Sequence, residues 1–181
     1  MVTPKNPALM DIYRGWDDHQ ISLVRAVAPL TREQLLWRPA PHLRTTGEVI
    51  AHIIGGRINW FYRILGLGSP EFAVQVAAWR PEDLIEEQPD QLLRWLDLTW
   101  QMIEQGMTTW NVDDLSYVYH LPYEGQNYAL PRQWIVWRIL EHDIHHGGEL
   151  ALMLGIQGIA IPDLGDQGGH LTERAPLDHQ A

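Results

Sequence analysis

Apolar residues recur along most of this chain with the three- and four-residue spacing of amphipathic helices, and the stretches between them are rich in proline, glycine and aspartate. Leu9, Ile12, Trp16, Leu23 and Val27 are separated by three, four, seven and four positions, which predicts a first helix over residues 8–28. Thr31 with Gln34 has the spacing of a capping box, predicting a short helical turn that Pro39 and Pro41 end. The same spacing recurs at Thr45 and Glu48 and opens a second helix, running through His52 to Gly66. Leu92, Leu96, Ile103 and Met107, with Trp95 beside them, predict a third helix over 89–109, and a shorter helical piece is expected to begin at Pro81. Residues 110–130 alternate like a strand without an evident partner and read as a long loop. Pro131 then suits the start of a fourth helix reaching Gly155.

Four sizeable helices and no convincing sheet predict an all-α four-helix bundle over residues 1–160. The remaining residues, 161–181, have no periodicity and are expected to form a tail that is packed on the bundle or flexible.

The fourth helix carries an anomaly. Its inward stripe reads Ile135, Ile139, His142, His146, Leu150, Met153, so two imidazoles stand where the core should be apolar. At i and i+4 their rings lie one turn apart on one face, the spacing at which two histidines grip one metal ion. His145 falls on the polar side of the same helix. A third ligand must come from elsewhere, and His52 is the best candidate, since it shares its helix face with Val49, Gly56 and Trp60. Gly55 and Gly56 beside it would permit the close approach of another helix. Three neutral imidazoles leave a position open on the metal, as in sites that activate a bound nucleophile.

Composition narrows the setting. The 181 residues carry a formal charge of −10, which opposes binding to the phosphate backbone of nucleic acids. No window has the roughly 18 uncharged apolar residues of a membrane span, and the first residues lack the apolar core of a signal peptide, so a cytoplasmic protein is expected. The chain contains no cysteine, so any metal must be held by His, Asp or Glu; zinc and nickel both suit imidazole ligands.

The segments YRGWDDHQISLVRAVAPLTREQLLWRPAP, TTGEVIAHIIGG and ILEHDIHHGGELALMLG together resemble the DinB/YfiT-like superfamily of metalloenzymes. The resemblance implies a four-helix bundle, commonly a homodimer, with a divalent metal on one histidine of the second helix and an H-x-x-x-H pair late in the bundle. Those positions fall on His52, His142 and His146. Characterised members include thiol S-transferases and a thiol-dependent isomerase. The chain departs from the pattern at residues 147–149, Gly-Gly-Glu, where relatives often carry Arg-Gly-Gln.

Three functions compete on this basis. In the first, a metal-dependent transferase activates a low-molecular-weight thiol cosubstrate for attack on a small-molecule electrophile, with His19, His120 and Tyr123 as candidate pocket residues. In the second, HDIHH stands for H-E-x-x-H, and Asp143 serves as the base of a metal-dependent hydrolase, although Asp is one methylene shorter than Glu. In the third, the chain is a non-catalytic metal-binding or interaction module whose tail, through His170 or His179, fills the open position.

Overall fold

The computed structural model describes residues 7–80 and 89–160, and these form an all-α fold with one small hairpin. Helix α1 (Leu9–Ile12) and α2 (Arg14–Val27) are followed by the short α3 (Arg32–Leu36) and by α4 (Thr46–Arg57), which continues as π-helix over Ile58–Ile64. Then come α5 (Pro70–Ala78), α6 (Pro89–Thr109), strands β1 (Val118–Tyr123) and β2 (Gln126–Pro131), and α7 (Arg132–Ile156). The helical piece expected at Pro81 and the tail with His170 and His179 lie outside the described residues.

Both capping boxes form: Thr31 Oγ1 accepts from the Gln34 amide at 3.3 Å and Thr45 Oγ1 from the Glu48 amide at 3.1 Å. The expected first helix is instead two pieces, because Tyr13 (φ −99°, ψ 26°) breaks the ladder between α1 and α2. The phase counted from Leu9 is thereby lost, and Ile12 is exposed rather than in the core. Helix α5 was not anticipated. Its start is nevertheless well formed, with Pro70 at the first position and Ser69 Oγ accepting from the Phe72 amide at 3.2 Å. Gly66 at φ +72° ends the π-helical segment in the left-handed region, which glycine enters at no steric cost.

The core lies between α4, α6 and α7, with α2 and α1 closing one side. Trp16 of α2 meets Phe61 and Trp100 edge-on, at centroid distances of 6.0 and 5.9 Å. Each of these large rings is buried, so together they contribute much of the apolar surface removed from water on this side.

The expected loop at 110–130 is in large part an antiparallel hairpin, and the strand partner is the segment's own second half, from Val118 opposite Pro131 to Tyr123 opposite Gln126. Glu124 and Gly125 both have positive φ, 49° and 76°, as a two-residue turn matched to strand twist requires. Arg132 moors the hairpin to the bundle. Its guanidinium lies 4.1 Å from the Trp110 ring centroid, and Nη2 donates to the Tyr119 hydroxyl at 2.8 Å while Nη1 donates to the Asp114 carbonyl at 3.0 Å. No helix among the described residues is long and apolar enough to cross a membrane.

Candidate metal centre

His52 in the second turn of α4 faces His142 and His146 on successive turns of α7, the helix against which α4 packs most closely. The ring centroids are 4.9 Å (His52 to His142), 4.6 Å (His52 to His146) and 4.5 Å (His142 to His146) apart. One nitrogen from each ring lies within 4.8 Å of the other two. Ligands on a small cation with bonds of about 2.0–2.1 Å sit roughly 3–4 Å from one another, so modest ring rotations would close the set. His142 and His146 are buried and His52 is half-buried, which leaves the cluster accessible from the His52 side. Among the described residues, no further His, Asp or Glu joins this trio.

The close approach depends on glycine. A Cβ placed on Gly56 would lie 2.6 Å from Cε1 of His142, a distance that real contacts do not reach. Gly55 meets instead the Trp79 ring, 3.0 Å from where its Cβ would stand. The glycine pair therefore admits two aromatic rings rather than a neighbouring backbone.

Below the histidines lies a buried polar network. Arg57 and Asp143, both fully buried, form an ion pair in which Nη2 and Nε approach Asp143 Oδ2 at 2.8 and 2.9 Å. The Trp16 indole N–H donates to the same oxygen at 2.9 Å. Arg57 Nη1 donates to Gln20 Oε1 at 2.8 Å, and Gln20 Nε2 donates in turn to the Leu96 carbonyl at 3.3 Å. His19 Nε2 lies 3.0 Å from the Asp143 carbonyl oxygen, which can only accept, so Nε2 carries the proton. Asp143 Oδ1 and His142 Nδ1 are both buried without a hydrogen-bond partner and face each other at 4.0 Å, too far for a bond.

The electrostatics keep the ligand rings of His52 and His146 neutral. Burial, reinforced by Arg44 and by His142 and His146, lowers the His52 pKa from 6.5 to about 4, while Glu149 pulls the other way. Burial also lowers that of His146. At neutral pH both rings therefore keep a lone pair free for a metal. For Asp143 burial opposes ionisation, but Arg57 and the Trp16 indole outweigh it and hold the carboxyl below the usual carboxylate range.

His145 is exposed, as its helical phase predicts, yet with His146 and Glu149 it makes a second, outward group of potential ligands that shares His146 with the first. His19 packs beneath the centre through Asp143. The candidate pocket residues His120 and Tyr123 are exposed on β1, where Tyr123 stands at the hairpin tip, 6.4 Å from the Tyr128 ring. Among the described residues, the groups of potential ligands around the histidines do not include His120. Asp143 does not face an open pocket, since its only bonded carboxylate oxygen is committed to Arg57 and Trp16. Sequence reasoning missed the partners Arg57 and Glu149. Glu149 had a legible signal, because it follows His146 by three positions, one helical turn. A cavity between α5 and α6, lined by Phe72, Gln75, Leu98 and Met102 among others, includes none of these histidines.

Residues 16–150 match the sequence model of the DinB superfamily. Among solved structures, the chain is similar to a DinB-like protein from Bacillus cereus ATCC 10987, with a TM-score of 0.62 and 18% identity, covering 83% of this chain and 93% of that one. At that identity the likeness shows the fold. No curated protein matches the chain.

Proposed function

Given that this chain belongs to the DinB superfamily, we propose that it is a metal-dependent thiol S-transferase acting on a small electrophilic substrate. The observation that carries this reading is the convergence of three imidazoles from two helices without a fourth ligand among the described residues. His52, His142 and His146 would hold a divalent ion, zinc or nickel by the borderline softness of the donors. The orphaned Nδ1 of His142 fits such a group, since a buried ring with no hydrogen-bond partner is otherwise costly. When bound, the ion supplies positive charge that lowers the pKa of a thiol at the open position, making thiolate available near neutral pH.

The chain's own residues do the rest. Its sequence holds no cysteine, so the thiol is a cosubstrate, and a cytoplasmic location, where small thiols stay reduced, suits it. Burial keeps His52 and His146 neutral and ready as ligands. Arg57 and Asp143 hold α4 and α7 together directly beneath the trio. A hydrolytic role for Asp143 is the weaker reading, because a carboxylate paired with a guanidinium and kept from solvent is a poor proton acceptor.

With cobalt in place of the native ion, addition of a small thiol is expected to produce a thiolate-to-metal charge-transfer band. The protein should then accelerate thiol addition to an electrophile, and His52→Ala should abolish both effects. Absence of any thiol-dependent band, together with Asp143-dependent hydrolysis of an amide, would overturn the transferase reading. Silence in both assays would favour a metal-binding module without turnover.

A homodimer is the second part of the proposal. Trp137, Ile144 and Leu152 are 60%, 54% and 66% exposed on the face of α7 opposite the histidines, an apolar stripe suited to a second copy. Light scattering should give twice the chain mass, and Leu152→Glu should shift it toward the monomer. A monomer mass for the unaltered protein across a wide concentration range would refute it.

A further inference from the structure

The histidines of the H-x-x-x-H pair differ in what stands behind them. His142 Nδ1 has no hydrogen-bond partner, whereas His146 Nδ1 lies 2.7 Å from Oε2 of Glu149, one turn further along α7. We propose that Glu149 is a positioning residue of the metal centre, fixing His146 as the Nδ1–H tautomer and so reserving its Nε2 lone pair for the cation. The inference rests on the three-histidine reading above.

The hydrogen bond itself forces the tautomer. An ionised carboxylate has only acceptor sites, so the nitrogen facing it must carry the proton, and a neutral imidazole has one such nitrogen. Nε2 is then bare. The bond also fixes the ring plane, since a helical histidine otherwise exchanges among rotamers and would have to be frozen on binding. Glu149 is well placed for this. It is half-buried, its spacing of i+3 keeps it on the same helix face, and its charge reaches His52 as well, where it opposes the effect of burial. Asp143 cannot serve the pair in the same way, because Oδ2 is taken by Arg57 and Trp16, and Oδ1 stands 4.0 Å from His142.

The outward group of His145, His146 and Glu149 offers the competing arrangement. There Glu149 would be a ligand itself, and His146 Nδ1 would have to give its lone pair to an outer ion. A protonated Nδ1 forbids that, so the two arrangements make opposite claims about one nitrogen.

The test compares tag-free protein with Glu149→Ala, Glu149→Gln, His145→Ala and His142→Ala. Cobalt affinity is measured by competition with a chromophoric chelator, and the metal-free rings are observed by imidazole nitrogen NMR. Glu149→Ala is expected to weaken cobalt binding about 10–100-fold at one ion per chain, the usual effect of losing a carboxylate behind a ligating histidine. Glu149→Gln, whose amide oxygen accepts the same bond, should stay within a few-fold of the unaltered protein. In the metal-free protein His146 should show a protonated Nδ1, and Glu149→Ala should shift it toward the other tautomer while thermal midpoints stay equal. Unchanged affinity in Glu149→Ala, equal weakening in Glu149→Gln, or a second ion lost with His145→Ala would each overturn the assignment. A His142→Ala variant that binds cobalt normally would instead remove the three-histidine reading, and the tautomer measurement would still decide the role of Glu149.

Discussion

Arg57→Leu should destabilise the bundle by about 3–5 kcal/mol, measured by urea unfolding of metal-free protein, because it strands the Asp143 carboxylate in a fully buried position. Neither charge reaches water, so the ordinary argument that ion pairs are weak does not apply. The loss of one partner is what costs so much. Replacing both at once, as Arg57→Leu with Asp143→Leu, should recover much of the difference, since apolar groups of similar size need no partner. The pH dependence gives a second reading. In the unaltered protein the Asp143 carboxyl lies below its ordinary value of 3.8, so its contribution is full above that value and is lost as pH falls through the lower folded one. Without Arg57 only the Trp16 indole N–H still bonds the carboxylate, and burial, the largest influence, then raises the folded value above the ordinary one. The sign then reverses, and the variant should regain stability on acidification as the stranded carboxyl takes up a proton. A variant within about 1 kcal/mol of the unaltered protein would mean that the pair contributes no more than an exposed one.

His142→Ala and His146→Ala should each remove the metal. Protein purified without a histidine tag is expected to carry close to one divalent ion per chain by elemental analysis, and each variant to bind it at least roughly 100-fold more weakly, more than the loss of a supporting residue costs. His145→Ala should retain the ion, because that ring points to solvent. Stability of the metal-free variants separates this from unfolding. Both rings pack against their neighbours, yet among the described residues neither forms a bond that spans two helices, so the folded state should persist. Full occupancy in both variants would sink the three-histidine assignment.

The helices that build this site were readable because their signals are local. Periodicity carried α6 to its observed end at Thr109, and the pairs Thr45 with Glu48 and Thr31 with Gln34 marked two helix starts through bonds that span only three residues. The trio was readable for a related reason, since an imidazole on an apolar stripe breaks a pattern that the stripe itself defines. Other features escaped, three of them for separate physical reasons. The break at Tyr13 leaves hydrophobic spacing intact on both sides, so counting continues across it and places Ile12 wrongly. The hairpin turn uses Glu124 before Gly125, and a Glu at positive φ is not the Asn or Asp that announces such turns. The Arg57–Asp143 pair joins positions 86 residues apart. Nothing local distinguishes a buried Arg from a solvated one, and only the packing of α4 on α7 brings the two charges together.

Gly56 carries a constraint that outlasts any one reaction. The space where its side chain would stand is occupied by the His142 ring, so in evolutionary terms the two positions are not free to drift separately. A lineage that keeps the imidazole in this position keeps glycine opposite it, because any larger residue would turn the ring away. A descendant that trades the histidine for a smaller residue is released from that restriction and is free to fill the gap with alanine or larger. The residue opposite the imidazole would then record, in a sequence alone, whether a chain still shelters this ring or has let it go.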